Sequence, residues 1–292
     1  MDRGGERTVR AALERVLGAE VVRRATLYGL EGGVKKRSYL VSTEAGQWVL
    51  RLPAAGADAL LDLATEADVM RAAAAAGLAP EVVAVDVDAG ILLTDYRAAA
   101  RAWSAADARE ARNVERAATL LRALHALDVD VPAFAAERIA RRYLSALAAA
   151  VGAGRTSFDA REQAWVDELL ERTRQFGAAH PPTALCHNDL VAANVLDDGR
   201  LVLVDFEYAV RAAPVLDLAG LAAMNDYGAR ERRELLAAYR VAGDVVIAEW
   251  ELERIVRLVR LLAFFWARLG ELRAPDSTAY RELATALGER LK

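Results

Sequence analysis

The sequence predicts an α+β protein in two parts, a small β-rich lobe over residues 1–96 and a larger helical lobe over residues 97–292, on three observations. Alternating apolar runs separated by turn residues crowd into residues 25–96. Ala, Leu, Arg and Glu at helical spacing fill most of the chain after Tyr96. One later stretch, 185–208, interrupts the helices with strand character and places polar side chains in otherwise apolar runs.

The first lobe opens with ATLYGLEGG, KRSYLVST and, after the turn EAG, QWVLRLP, which read as a meander of three strands. In the third, Trp48, Leu50 and Leu52 share one face and Arg51 points to the other. Residues 57–76 turn helical and Gly77 ends them, after which EVVAVDV and ILLTDY flank the turn DAG as two more strands. The expectation is therefore five strands and one helix in the first hundred residues. Long helices are predicted near 107–127, 135–150, 160–176, 229–242 and 247–271. Between them, the turn Asp197-Asp198-Gly199 separates VL from RLVLVDF, a hairpin signal.

At 292 residues the chain can bury a sizeable core. Its 42 acidic residues against 38 basic ones, a net charge of −4, give no sign of a polyanion-binding surface, so nucleic acid is not an expected partner. The single cysteine, Cys186, excludes an internal disulfide and a cysteine-only metal site, and the three histidines are too scattered for a zinc motif. A reducing cytoplasm is the expected location. MDRGGERTVR lacks the apolar core of a signal peptide. The apolar stretch 255–272 is interrupted by Arg257, Arg260 and Arg268, so it reads as a core helix, and no membrane association is expected.

The chemistry concentrates in LCHNDLVAANVL, residues 185–196, and LVLVDFEY, residues 201–208. Asp189 and Asn194 stand on the loop entering one hairpin strand and Asp205 closes the other, so the hairpin brings the three toward one end. Phosphoryl transfer needs such a set: a carboxylate to take the proton of the attacking hydroxyl, and an amide oxygen and second carboxylate to hold Mg²⁺ against phosphate. Three polar residues that merely brace a hairpin are the competing explanation. The joint spacing HNDLVAAN followed by VDFE resembles the catalytic loop and metal-binding segment of the aminoglycoside phosphotransferase and choline kinase superfamily, small-molecule kinases with a bilobal protein-kinase-like fold. The resemblance follows the element order through nearly the whole chain. It implies that Asp189 is the catalytic base and that Asn194 and Asp205 are metal ligands. By the same resemblance Asp217, in VLDLAG, braces the catalytic loop. His187 and His125 read as buried, hydrogen-bonded histidines.

The resemblance also implies ATP as phosphate donor. Gly32 and Gly33, in YGLEGGVKKRSY, would let backbone amides approach phosphate, with Ser38 as a further contact; an ordinary glycine-rich turn is the alternative. Lys35 and Lys36 replace the small polar pair frequent in the family. Arg51 stands where kinases hold a phosphate-gripping lysine, and Glu66 is its expected partner, because Leu63 and Met70 place it on the inward helical face. An exposed i,i+4 pair is the plainer reading of Glu66. The backbone of Thr94, Asp95 and Tyr96 would meet adenine.

No APE-type activation segment follows Asp205, so the acceptor implied is a small-molecule hydroxyl. VDFEYA and FFWARL resemble the choline and ethanolamine kinase branch, whose acceptor is a cationic amino alcohol. Glu207, Tyr208, Asp226, Tyr227 and Trp266 are the residues able to surround such a cation, although aromatic residues on an amphipathic helix also read as core. Two other readings stand beside this one. In one the acceptor is a hydroxyl of an aminoglycoside, macrolide, thiamine-like or other metabolite; in the other the chain is a nucleotide-binding pseudokinase, against which the presence of Asp189, Asn194 and Asp205 speaks.

Overall fold

The computed structural model describes residues 3–30, 36–53, 62–154, 156–240, 247–274 and 278–292, in two compact units. The first comprises Met1–Ala102 with Asn194–Ala209, and the second Trp103–Ala193 with Val210–Lys292.

The first unit begins with helices α1 (Arg3–Leu17) and α2 (Ala19–Arg23), which the sequence reading above does not include. Strands β1 (Thr26–Leu30), β2 (Lys36–Thr43), β3 (Gly46–Pro53), β4 (Val82–Asp86) and β5 (Ile91–Asp95) then form the five-stranded antiparallel sheet, in the order β1-β2-β3-β5-β4. Its core explains α1: Val9 and Leu13, one helical turn apart, close over Tyr39, Val41, Leu50, Leu52, Ile91 and Leu93. Alternation sends the next residues to the opposite face, so Arg51 and its ladder partner Leu92 lie on the side of helix α3 (Leu63–Ala75). Asp62 caps that helix by accepting from the Ala64 amide at 3.0 Å. The predicted start at residue 57 falls outside the described residues.

A three-stranded sheet completes this unit: β6 (Arg101–Ala102), β8 (Val195–Asp197) and β9 (Leu201–Leu203), in the order β6-β8-β9. The sequence division at residue 96 assigned the hairpin to the helical lobe. It groups instead with the first unit, because β8 pairs with β6 and the Leu203 amide donates to the Leu78 carbonyl at 2.8 Å.

The second unit contains α4 (Ala105–Arg109), α5 (Ala111–His125), α6 (Ala136–Gly152), α7 (Ala160–Ala179), α8 (Val215–Met224), α9 (Ala229–Arg240), α10 (Glu249–Arg273) and α11 (Thr278–Arg290). The helix expected over 107–127 is two, broken at Glu110, and α11 is an addition to the expected set. Two short strands, β7 (Ala184–Cys186) and β10 (Val210–Ala212), pair antiparallel with Cys186 opposite Val210. No described helix is long and apolar enough to cross a membrane.

Candidate active site

Three non-glycine residues among those described adopt a left-handed backbone: Asn188 at φ 62°, Asp205 at φ 67° and Asp226 at φ 55°. Asn and Asp tolerate this region better than other side chains, and such strain persists where surrounding structure holds it. Asn188 and Asp205 lie in the two polar stretches singled out above, and Asp226 follows the end of α8.

In the first unit, Asn194 ends a 3-10 turn (Ala192–Asn194), and its carbonyl accepts from the Val204 amide at 3.0 Å. This continues the β8–β9 ladder by one step, so Asn194 and Asp205 flank the open end of the hairpin. Asp205 then accepts from Arg51 at 3.1 Å, and the other side of that guanidinium donates to Glu66. Glu66 is only 5% exposed and the Arg51 side chain 14%, so this is an interior charge cluster. Burial disfavours the charge on Arg51, yet Glu66, Asp205 and Glu207 together hold its pKa above the ordinary arginine value. Asp68, two residues after Glu66, faces outward to Arg71.

Ser38 is half-buried on β2, directly across the ladder from Arg51. Gly32, Gly33 and Lys35 lie outside the described residues. At the end of β5, Thr94 is buried, Asp95 exposed and Tyr96 half-buried. The Asp95 and Tyr96 amides donate to the carbonyls of Glu81 at 2.9 Å and Gln47 at 3.1 Å. Glu207 and Tyr208, after Asp205, are half-buried in this same unit.

In the second unit, β7 delivers the chain into the loop that bears Asp189. Asp217 in α8 is fully buried and accepts the amides of His187 and Asn188, each at 2.8 Å. A third bond comes from His125 Nε2 at 3.1 Å. Beyond Asp189, the Asn225 side chain donates to the Leu190 carbonyl at 2.8 Å. Within the loop, the Asp189 amide donates to His187 Nδ1 at 3.3 Å, so the buried His187 supports backbone. Two side chains of one helical segment thus clamp the loop on either side of a half-buried Asp189. The sequence reading missed Asn225, which the polar pair Asn225-Asp226 at the end of an apolar helix could have flagged.

His125, Cys186 and Asp217 bring ligand-type atoms within 4.8 Å of one another. Both imidazole nitrogens and both carboxylate oxygens are occupied by hydrogen bonds, and burial pushes the Cys186 thiol well up, keeping it protonated. The trio is a hydrogen-bonded core, not a metal centre.

Three of the residues expected around a cation lie in the second unit. Asp226 is ion-paired with Arg290 and lies 4.0 Å from Arg260, so its charge is already matched by guanidinium. Tyr227 is 2% exposed, and its hydroxyl donates to the Ala108 carbonyl at 2.6 Å. Tyr227 therefore packs into the interior of the helical unit, whereas the Asp226 side chain stays partly exposed beside its two guanidiniums. Trp266 differs from its core neighbours Phe264 and Phe265: it is half-buried and meets Tyr280 of α11 edge-on, with centroids 5.3 Å apart.

The phosphotransferase enzyme family model matches residues 26–251. Protein LicA from Haemophilus influenzae is 29% identical over 192 residues, which cover 64% of this chain but only 55% of that protein. The choline/ethanolamine kinase family protein from Mesorhizobium loti matches with TM-score 0.78 at 28% identity, over 98% of this chain and 93% of that one. Choline kinase LicA from Streptococcus pneumoniae has the same kinase-like fold, with TM-score 0.81 at 19% identity over 99% of each chain. With most of its length matched by the family model, the chain belongs to the phosphotransferase enzyme family.

Proposed function

We propose that this protein transfers the terminal phosphoryl group of ATP to the hydroxyl of a small cationic amino alcohol of the choline or ethanolamine type. The observation that carries the reading is the anchored loop: Asp217 and Asn225 hold the backbone on either side of a half-buried Asp189. Asp189 accepts the hydroxyl proton as the new oxygen–phosphorus bond forms and the bond to ADP breaks. Arg51, Ser38, Gly32 and Gly33 bind the phosphates, with Glu66 fixing the direction of the guanidinium. Thr94, Asp95 and Tyr96 offer backbone to the base. Nucleotide binding belongs to residues 1–96 and acceptor binding to 97–292 on this reading.

Asn194 and Asp205 present an amide oxygen and a carboxylate, hard donors that suit Mg²⁺. Bound there, the ion would neutralise charge on the phosphates. The Arg51–Asp205 pair already balances the Asp205 carboxylate, and Glu66 keeps Arg51 within its reach.

Identity to the Mesorhizobium protein supports the acceptor class, as does the aromatic surface of Trp266. Glu207 and Tyr208 are the remaining acceptor residues. A phosphorylation screen across choline, ethanolamine, aminoglycosides and macrolides tests the class. Choline or ethanolamine should turn over; turnover confined to the antibiotics would reverse the assignment.

Trp266→Ala tests the pocket itself. The acceptor KM should rise about tenfold with the ATP KM unchanged, since a lost cation–π face contributes on the order of 1 kcal/mol. A variant that melts far earlier yet keeps its acceptor KM would place Trp266 in the core and remove it from the site.

A further inference from the structure

Asp217 is the hub of the loop, and it is itself held from outside. As a carboxylate it only accepts, so the His125 nitrogen facing it, Nε2, carries the hydrogen. The other ring nitrogen, Nδ1, lies 2.7 Å from the hydroxyl of Tyr239 in α9. The two rings meet edge-on with centroids 5.7 Å apart. Burial, with smaller contributions from Cys186 and Asp217, pushes the Tyr239 phenol up to about 12, so the hydroxyl keeps a proton that it can donate to Nδ1. The other ionisable groups around this chain of bonds are spoken for. Arg122 donates to the Ala238 and Tyr239 carbonyls, and the Cys186 thiol stays protonated.

We propose that Tyr239 is a positioning residue for the phosphoryl-transfer loop. By donating to His125 Nδ1, it fixes the imidazole with its hydrogen on Nε2, facing Asp217, and so holds the His187–Asn188 backbone that presents Asp189. The linkage runs through one side chain from each of three helices: Tyr239 of α9, His125 of α5 and Asp217 of α8. It ends on the two amides of a segment whose Asn188 is left-handed. That conformation needs external support. Without the hydroxyl, Nδ1 becomes a buried acceptor with its donor removed, and the ring loses the contact that sets its orientation.

The inference rests on the reading of Asp189 as the base, but its test has an arm that does not. Amide hydrogen exchange of the full chain, read at His187 and Asn188, and steady-state kinetics are compared for wild type, Tyr239→Phe, His125→Gln and the double variant. Tyr239→Phe keeps the ring and removes only the hydroxyl. It should speed exchange at these two amides about tenfold and lower kcat by a similar factor, leaving the ATP KM within about twofold. His125→Gln supplies an amide donor to Asp217 that has no tautomer to fix, so adding Tyr239→Phe to it should change neither quantity more than about twofold. Wild-type exchange and kcat in Tyr239→Phe would overturn the proposal. So would faster exchange spread evenly over the helical unit, or a full Tyr239→Phe effect persisting in the His125→Gln background. If wild type phosphorylates no acceptor at all, the phosphoryl-transfer reading falls, and exchange at the two amides still decides whether Tyr239 holds the loop.

Discussion

Asp189→Asn is expected to lower kcat by about 10²–10⁴-fold, the range over which a positioned general base contributes, while leaving nucleotide affinity within a few-fold of wild type. The amide is nearly the size of the carboxylate but cannot take the hydroxyl proton. Neither Asp217 nor Asn225 binds the Asp189 side chain; they hold the backbone on either side of it, so the loop keeps its anchors in the variant. The fold should survive accordingly, with a melting temperature close to wild type. Turnover and nucleotide titration on the same sample separate the outcomes. A variant that retains most of its kcat removes Asp189 from the chemistry, and one that loses nucleotide binding together with turnover shows that Asp189 also serves the nucleotide.

Much of this arrangement was legible because it is local. The placement of Asn194 and Asp205 on either side of an Asp-Asp-Gly turn is a property of one hairpin, whose strands pair Val195 with Leu203 and Asp197 with Leu201. Arg51 and Glu66 were placed by two independent periodicities, strand alternation and a helical face, which meet in a single ion pair. Asp226 shows where such reasoning ends. Its partner Arg290 lies 64 residues on, in a helix absent from the sequence reading, and nothing local to Asn225-Asp226-Tyr227 reports it. Tyr227 likewise finds its acceptor, Ala108, 119 residues away. Helix α1 is a different case. Val9 and Leu13 carry a readable helical stripe, but its meaning depends on the sheet face that needs covering. The hairpin's grouping with the first unit was hidden for a related reason: β6 is two residues long, too short to have a period.

Arg51→Ala should damage both the fold and nucleotide use. Removing the guanidinium takes from Glu66, 5% exposed, its ion pair with Arg51, and breaking one partner of a buried pair costs about 3–5 kcal/mol. For a chain of this size that is a fall in melting temperature on the order of 10 °C. Neutralising the acid as well, in Arg51→Ala with Glu66→Gln, should restore a large part of that loss, because an amide costs less to bury than a carboxylate that has lost this ion pair. The two effects then come apart. The double variant is expected to regain stability but not ATP affinity, since the phosphates still lack their guanidinium, whereas Arg51→Lys should keep part of the affinity as a point charge. Equal melting temperatures for wild type and Arg51→Ala would mean that Glu66 does not depend on Arg51. Unchanged ATP affinity in the restabilised double variant would exclude Arg51 from phosphate binding and confine the pair to holding α3 against β3.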